Sequence, residues 1–427
     1  VYRTLDDDLA IKQPFGGDGQ PDLQTNDREI FKRVRTLSLP HGIPISLPLS
    51  LLRDEPGYVM KLLNDMNPFN IFFLDGERRI QMDQKDLPQW LSGIPDKKFA
   101  QDLAYYAETG STRRRLYALY KSAAVLARLH NAGIVYGDVS LNNIFIGNTI
   151  PCDCWIIDAD NLRFELFQGG RTVYTPSLGA PEIVQGKDAA RPRTDCWAFA
   201  VMAFQMLALC HPFIGAKVLE QDENHGWDAD TSQDETPMDL DGQAYAGYFP
   251  YIDDEEDDSN QFTGNQLPRA LILSTKLRRL FQETLGVGRT KPHRRISMAL
   301  WALALARAFD NSLVCPSCKM SYFFSPDFEK CPYCQAPRPA FAIARTNRGS
   351  FILESADREN LFHCPLPQRL FHPFSLADGD NVEYEAEINL SDKKAKAVRG
   401  TKPLPSDLIF DFIDAQEDSR KDAKDEI

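Results

Sequence analysis

Residues 129–143 read LHNAGIVYGDVSLNN and form the most informative stretch of the chain. It carries Asp138 after a short apolar segment and Asn143 five positions later. Residues 155–160 then read WIIDAD, a second apolar segment that leads into Asp158. A phosphoryl transfer from a nucleotide needs a carboxylate beside the accepting hydroxyl and oxygen ligands for Mg²⁺ on the phosphates. These three side chains supply such a set.

Further motifs surround this stretch in a fixed order. Residues 9–12 read LAIK and residues 57–63 read GYVMKLL, while APE follows at 180–182, TDCWAF at 194–199 and HPF at 211–213. Together they resemble the motifs of the eukaryotic-like (bacterial) Ser/Thr protein kinases, over roughly residues 1–310. The resemblance implies an α+β, two-lobed protein kinase fold that uses ATP and Mg²⁺ to phosphorylate a protein hydroxyl.

The resemblance implies a role for each matched residue. Asp138 stands at the catalytic aspartate, and Asn143 and Asp158 stand at the Mg²⁺ ligands. The implied nucleotide contacts are Lys12 on the phosphates, Glu29 as its partner from a helix, and Ala10, Met60, Lys61 and Leu63 around the adenine. Thr175 takes the place of the threonine that bonds the catalytic aspartate in Ser/Thr kinases, although it also fits an ordinary loop position. Structural roles fall to Glu182, to Arg295 as its partner, and to Asp195 at the start of the central helix.

The chain departs from the kinase pattern at several positions. Tyr136-Gly137 replaces His-Arg, Ser140 replaces a lysine, Ala159-Asp160 replaces Phe-Gly, and the glycine-rich loop would lie upstream of Val1. Without that arginine, no side chain at this position can bind a phosphorylated activation loop. This argues against control of the activity by phosphorylation of Thr172, the candidate site in that loop. Two interpretations therefore stay open: an active Ser/Thr kinase and a nucleotide-binding pseudokinase scaffold.

Four of the nine cysteines form a metal-binding pattern. Cys315 and Cys318 make one CxxC pair, and after twelve intervening residues Cys331 and Cys334 make another. Two such pairs place four thiolates around a tetrahedral Zn²⁺, with no ligand position left open for catalysis. The pattern predicts a structural zinc ribbon, and the alternative is four unliganded buried cysteines.

The C-terminal segment, residues 340–412, reads as alternating strands and loosely resembles the five-stranded cold-shock type of OB barrel. Residues 348–352 and Phe362-His363 stand near the RNA-binding motifs of that family. Base stacking needs an exposed aromatic platform in positive surroundings, and Phe351 fits a core position as well as a platform. Because the segment carries a slight excess of acidic residues, a protein partner is favoured over RNA.

A kinase, a zinc ribbon and a small β-barrel in one chain resemble the kinases of TerY-type, tellurium-resistance-associated phosphorylation systems. That resemblance implies a von Willebrand A-type protein and a PP2C-type phosphatase as partners beside the protein substrate. The predicted parts are a kinase N-lobe at 1–62, a C-lobe at 63–312, the zinc ribbon at 313–337, the barrel at 340–412 and a charged tail at 413–427. Helices are predicted over 99–131 and 189–219, among others.

Charge is distributed unevenly along the chain. It has 48 basic and 61 acidic residues, a net charge of −13, but residues 218–268 hold 15 of the acidic residues and no lysine or arginine. This segment either attracts a basic substrate or partner or is a solvated insertion. The overall acidity argues against a general nucleic-acid binder, and the paired cysteines favour a reducing compartment, the cytoplasm. The longest apolar run, 197–210, is shorter than the roughly 20 residues of a membrane span.

Overall fold

The computed structural model describes residues 1–4, 8–16, 22, 28–148, 152–165, 174–222, 239–323, 325 and 328–338, together with four C-terminal strands. For those strands and for residues 221, 222 and 310, only the course of the backbone is described. The described part combines helices with several small sheets, which confirms the predicted α+β class. Within it, none of the helices has both the length and the apolar character that a membrane span requires.

An antiparallel sheet and one helix form the amino-terminal part. The elements are β1 (Tyr2–Arg3), β2 (Leu9–Lys12), α1 (Arg28–Thr36), β3 (Ser50–Leu51) and β4 (Tyr58–Lys61), with the strands in the order β1-β2-β4-β3. Lys12 lies opposite Tyr58, and Ala10 lies opposite Met60. Residues directly opposite each other place their side chains on the same face of a sheet. The register therefore brings Lys12 and Tyr58 together.

The larger, helical part follows. Its helices are α2 (Gly76–Asp83), α3 (Lys97–Glu108), α4 (Ser111–Asn131), α5 (Pro181–Val184), α6 (Pro192–Ala208), α7 (Ala216–Asp222), α8 (Leu240–Tyr245), α9 (Arg269–Ile272), α10 (Thr275–Phe281), α11 (Gly288–Thr290) and α12 (Met298–Asp310), with a π-helical turn at Gln282–Val287. Both α6 and α12 pack on α4. Phe199 of α6 and Trp301 of α12 are fully buried, and their ring centroids lie 5.8 Å apart. These three helices form the centre of the core.

Two of the predicted helices are broken in the structure. The prediction over 99–131 is wrong at residues 109–110, where α3 ends and α4 begins. Gly110 has a φ of +89°, and a Cβ at that position would lie 2.7 Å from Cβ of Arg114, so the turn requires glycine. The prediction over 189–219 is wrong after Ala208, because Leu209 adopts a left-handed φ of 59° and the chain then passes Pro212 before α7 begins.

Short strands line the front of the helical part. They are β5 (Met66–Pro68), β6 (Ile134–Val135), β7 (Ile144–Gly147), β8 (Cys154–Ile156) and β9 (Arg163–Phe164), paired in the orders β5-β7-β8 and β6-β9. Ile144 lies opposite Ile156, and the backbone N–H of Ile157 donates to the carbonyl of Asn143 at 2.9 Å. The β7–β8 hairpin therefore brings Asn143 and the residue before Asp158 to the same end.

The C-terminal strands form two further sheets. The cysteine-rich segment contains the antiparallel hairpin of β10 (Ser312–Val314) and β11 (Ser321–Phe323). Beyond it lie β12 (Phe341–Thr346), β13 (Gly349–Glu354), β14 (Tyr384–Asn389) and β15 (Lys394–Arg399), in the order β13-β12-β14-β15 with β12 and β14 parallel.

Among those four strands the sheet is open and no closed barrel is seen. Closing a barrel requires the two edge strands to pair with each other, and β13 and β15 lie at opposite edges of the described sheet. Phe351 lies in β13. Several positions with a predicted role lie outside the described residues: Thr172, residues 223–238 of the acidic segment, Phe362, His363, most of 340–412 and the tail. The boundaries of the parts stay predictions.

Candidate functional site

The loop that carries Asp138 is fixed through its backbone. Asp195, in the first turn of α6, is only 2% exposed, and its carboxylate accepts the N–H of Tyr136 at 2.8 Å and the N–H of Gly137 at 2.9 Å. Gly137 has a φ of +87°, which favours glycine. These contacts turn the chain between β6 and Asp138, so the residue predicted at the start of the central helix positions the loop.

His130, the penultimate residue of α4, completes this anchor. Its Nε2 lies 3.0 Å from Oδ2 of Asp195, the oxygen that also accepts the Tyr136 N–H. Burial alone would lower the pKa of His130, but the hydrogen bond and charge of Asp195 outweigh it and raise that pKa to about 9. The side chain is therefore a cation at neutral pH and balances the buried carboxylate. No sequence motif assigns chemistry to His130; its position eight residues before Asp138 was the available signal.

The Asp138 side chain is held by two donors. Thr175 Oγ1 donates to Oδ1 of Asp138 at 3.2 Å, and Asn143 Nδ2 donates to its Oδ2 at 2.9 Å and to its backbone carbonyl at 3.1 Å. Burial, followed by the nearby charge of Asp158, raises the pKa of Asp138 above the ordinary aspartate value. The structure thus brings the predicted Asp138, Asn143 and Thr175 together around one carboxylate.

Lys12 is held by carboxylates from the loop after β8. Its Nζ contacts Oδ1 of Asp158 and lies 2.6 Å from Oδ2 of Asp160, and the Lys12 side chain is 19% exposed. The Tyr58 hydroxyl donates to the other oxygen of Asp160 at 2.9 Å. The kinase resemblance assigns no role to Asp160. The available signal in the sequence was an acidic residue at the position where the kinase pattern has a glycine.

The structure does not bring Glu29 to Lys12, so the predicted pair is not formed. Glu29 is 68% exposed and pairs with Lys32, three residues along α1. Helix α1 buries Phe31 and Val34, and Phe31 packs edge-on against Tyr58 with ring centroids 5.0 Å apart. Residues two positions apart point to different sides of a helix. Glu29 consequently lies on the solvent side.

The oxygen atoms near Asp158 suit a magnesium ion. Asp158 adopts a left-handed conformation, with φ 59° and ψ 61°, two residues after the end of β8. The amide nitrogen of Asn143 is used for Asp138, so its amide oxygen is the atom that can meet a cation. Mg²⁺ is commonly bound by one or two such side-chain oxygens together with phosphates and water. The donor set at Asp158 and Asn143 therefore fits the ion.

The predicted adenine contacts cluster at the end of β4. Ala10 and Met60 are buried and lie opposite each other in the sheet. The carbonyl of Lys61 accepts a hydrogen bond from Ser46 Oγ at 3.0 Å, and the Lys61 ammonium lies 4.5 Å from the centre of the Trp155 ring. A carbonyl oxygen has two lone pairs, so this bond leaves room for a second donor. Leu63 lies two residues after the end of the strand and is partly buried.

Glu182 and Arg295 form a buried pair below the site. The Arg295 guanidinium donates to both carboxylate oxygens of Glu182, at 2.6 and 2.8 Å, and the arginine side chain is fully buried. It also lies 4.8 Å from the centre of the Trp197 ring. Bidentate pairs of this kind fix orientation as well as charge. The structure brings the two residues together as the kinase resemblance implies.

The four predicted zinc ligands form a cluster. The sulfur atoms of Cys315, Cys318, Cys331 and Cys334 all lie within 4.8 Å of one another. The closest pairs are Cys315 with Cys334 at 3.5 Å and Cys318 with Cys331 at 3.7 Å. Four thiols at this spacing can hold a metal such as zinc.

Hydrogen bonds join the segment that carries the cysteine cluster to the first turn of α4. The N–H of Arg113 donates to Ser321 Oγ at 2.8 Å, and the N–H of Ser321 donates to Ser111 Oγ at 2.9 Å. The buried Arg113 guanidinium donates to the Ser312 and Phe309 carbonyls at 2.6 and 2.9 Å. The first turn of α4 therefore carries the β10–β11 hairpin.

Comparison with known proteins points in the same direction. None of the established family models matches the chain. It is 31% identical over 133 residues to proteins called Protein kinase C-like from Cochliobolus heterostrophus and Neurospora crassa, and 31% identical over 119 residues to Protein kinase C-like 1 from Saccharomyces cerevisiae. These matches cover 27–30% of this chain and 10–11% of the relatives, so the chain spans about a tenth of their length. The similarities support a kinase-related relationship for this chain.

Proposed function

We propose that the protein is a Mg-ATP-dependent Ser/Thr protein kinase with a two-lobed kinase fold. The observation that carries the proposal is the arrangement around Asp138. The partly buried Asp138 carboxylate is held by Thr175 and Asn143, next to the Lys12 and Asp158 pair. A base, a cation for phosphates and two metal ligands then lie in one site, which is what phosphoryl transfer requires.

The nucleotide side of the reaction would rest on six residues. Bound MgATP supplies the transferable phosphoryl group. Asp158 and Asn143 would hold the metal, and Lys12 would orient the phosphates with its ammonium group. Ala10 and Met60 would pack against the adenine. The Lys61 carbonyl can accept a hydrogen bond from the adenine amino group. Such positioning and charge stabilisation supply most of the rate gain in this class of reaction.

Asp138 would orient the acceptor hydroxyl and take its proton. Burial and the charge of Asp158 raise the pKa of Asp138, which makes it a stronger base than an exposed aspartate. Thr175 donates to the same carboxylate, as expected for a serine or threonine acceptor. Because Gly137 offers no side chain, no arginine at that position can bind a phosphorylated activation loop, and His130 and Asp195 hold the loop in its place.

The test is phosphoryl transfer from radiolabelled ATP by the full-length protein. Wild type with Mg²⁺ should label itself or a generic Ser/Thr substrate such as casein, and Asp138→Asn should lower the rate about 100-fold or more while ATP still binds. Asp188→Asn, on an exposed loop, is the matched control and should label at the wild-type rate. Equal labelling by wild type and Asp138→Asn would refute the proposed role of Asp138.

A nucleotide-binding pseudokinase scaffold is the second candidate. Lys12 contacts Asp158, the same carboxylate that would have to bind Mg²⁺, and a lysine in that place competes with the metal. This reading expects ATP to bind and phosphate to appear on no protein. It differs from the first proposal in the labelling experiment alone, since both expect ATP binding.

We further propose that the cysteine cluster holds a structural zinc ion and that the protein works in the reducing cytoplasm, where thiolates persist. The partners would be a von Willebrand A-type protein and a PP2C-type phosphatase. Exposed acidic residues at 255–258 offer a surface for basic partners. RNA binding through the C-terminal strands is the weaker alternative.

A further inference from the structure

Lys12 needs an anchor, and α1 does not supply one. The lysine is four-fifths buried, so its ammonium must be paired with an acceptor or a carboxylate. Glu29 points to solvent and pairs with Lys32. Among the described residues, the carboxylates that contact the Lys12 ammonium are those of Asp158 and Asp160.

These two carboxylates are not equivalent. Asp158 is the residue with oxygens suited to Mg²⁺, and a bound divalent cation would draw on the same negative charge that holds Lys12. Asp160 has a different surrounding: one oxygen lies 2.6 Å from Lys12 and the other accepts the Tyr58 hydroxyl at 2.9 Å. Its side chain is 21% exposed. Asp160 can therefore keep Lys12 in place while Asp158 serves the metal.

Two residues of the amino-terminal sheet, Lys12 and Tyr58, hold the Asp160 side chain. Lys12 and Tyr58 lie opposite each other on β2 and β4, so they present an ammonium and a hydroxyl side by side. Asp160 sits in the single turn that follows Asp158, and Ala159 beside it is fully buried. The ring of Tyr58 is in turn packed by Phe31. The contact is a three-residue unit that spans the amino-terminal sheet and the loop after β8.

We propose that Asp160, held by Tyr58, is the positioning residue for Lys12 and takes the place of a glutamate from α1. The inference rests on the proposed function where it concerns nucleotide phosphates. It does not depend on phosphoryl transfer, because it concerns how the lysine is held and what that does to phosphate binding. One consequence is that Lys12 stays aimed at the phosphates without any movement of α1.

The first test needs no nucleotide. Lys12 in the wild-type protein is acetylated at pH 8 with an amine-reactive ester, and the rate is read by peptide mass spectrometry, with the exposed Lys61 as internal standard. Asp160→Asn removes one of the two carboxylates that hold the Lys12 ammonium, so the side chain is freer to reach the reagent, and we expect acetylation about threefold faster or more. Glu29→Gln should leave the Lys12 rate at the wild-type value. An unchanged rate in Asp160→Asn would overturn the proposal.

The second test is a double-mutant cycle on nucleotide affinity, measured by calorimetry with ATP and with adenosine. Asp160→Asn should weaken ATP binding about tenfold and leave adenosine binding unchanged, because adenosine carries no phosphate for Lys12. In a Lys12→Met background, Asp160→Asn should have no further effect. Equal losses for ATP and adenosine, or independent losses in the cycle, would mean a merely structural role and would overturn the proposal.

Two arrangements keep these tests decisive. If Asp160→Asn does not fold, Tyr58→Phe loosens the same carboxylate and should give the same changes at smaller size, whereas wild-type behaviour of Tyr58→Phe would count against the unit. A protein that binds ATP with the expected cycle but transfers no phosphate would refute the proposed kinase activity and leave the role of Asp160 supported.

Discussion

Asp138 and Lys12 belong to one site but are held in different ways. Around Asp138, the loop is fixed by backbone N–H groups that donate to the buried Asp195, and His130 balances that charge. Lys12 is held by side-chain charges alone, from Asp158 and Asp160. Changes on the acceptor side, around Asp138, should therefore affect folding as well as activity. Changes on the phosphate side, around Lys12, should affect nucleotide binding with little effect on folding.

The largest expected effect tests how far the acceptor side depends on the rest of the core. Helix α4 carries the cysteine hairpin at its first turn and His130 near its end. Because structural metal sites contribute directly to folding, removing the proposed zinc ion with a chelator, or Cys331→Ser, should lower the free energy of unfolding by on the order of 5 kcal/mol.

Thermal unfolding followed by circular dichroism, with zinc added back, measures this loss. Cys152→Ser is the control, since Cys152 lies outside the four-cysteine cluster. A melting temperature that is unchanged by the chelator and by Cys331→Ser would show that the hairpin adds nothing to the stability of the helical part.

Asp195→Asn should give the next largest effect. An asparagine keeps the shape but loses one acceptor oxygen and the charge, so either a backbone N–H or a buried His130 cation is left without its partner. We expect a loss of about 2–4 kcal/mol in the free energy of unfolding. Denaturant unfolding measures it, with Asp188→Asn on an exposed loop as the matched control. Equal stability of the two variants would contradict the anchor.

His130 makes the acceptor side sensitive to pH. Its pKa of about 9 in the folded protein lies above the ordinary value of 6.5. The stabilisation is therefore complete below pH 6.5 and is lost as the pH rises through 9. We expect on the order of 1–3 kcal/mol to disappear across this window.

Urea unfolding at pH 6, 7.5 and 9 measures the effect. His130→Gln should be less stable than wild type at pH 6 and should show a flatter dependence over the same range. His211 is a comparison of opposite sign, because burial lowers its pKa to about 4 and its contribution to stability rises between pH 6 and 7.5. A wild-type stability that stays constant between pH 6 and 9 would exclude a charged His130.

Thr175 offers a smaller test within the acceptor side. Thr175→Val removes the donor to Asp138 and keeps the volume, while Thr175→Ser keeps the hydroxyl. We expect kcat to fall about tenfold in the valine variant, with the KM for ATP unchanged, and serine to restore most of the rate. Steady-state kinetics with a Ser/Thr peptide substrate measure both. A serine variant as slow as valine would mean that the hydroxyl does not act through Asp138.

The acceptor side could be predicted from the sequence, and half of the phosphate side could not. Asp138 and Asn143 are five residues apart in one loop, and Glu182 with Arg295 follows a family pattern, so short spacing or resemblance is enough to pair them. The four cysteines were found by the CxxC spacing alone. These are contacts that local geometry or fixed ligand chemistry determines.

The partner of Lys12 depends instead on the rotation of α1 about its axis. The sequence places Glu29 in a helix, but burial of Phe31 against Tyr58 decides which side of that helix faces the sheet. With Phe31 inward, Glu29 turns outward, and Asp160 joins Asp158 at the lysine in its place. The break at Leu209 was missed because a turn inside an apolar run leaves the hydrophobic pattern intact, whereas at Gly110 the glycine itself, in a polar stretch, was the available signal.

The smallest expected effect is also the sharpest test of the comparison. Glu29→Gln removes a carboxylate that the kinase resemblance places on Lys12 but that the structure places in solvent beside Lys32. An exposed pair three residues apart on a helix contributes under about 0.5 kcal/mol, so stability should hardly change. The KM for ATP should stay within twofold of wild type, whereas Asp160→Asn raises it about tenfold. Parallel ATP titrations of the two variants measure this. A rise in KM for Glu29→Gln as large as that for Asp160→Asn would mean that α1 rotates inward when nucleotide binds, and that the phosphate side is then built by the helix.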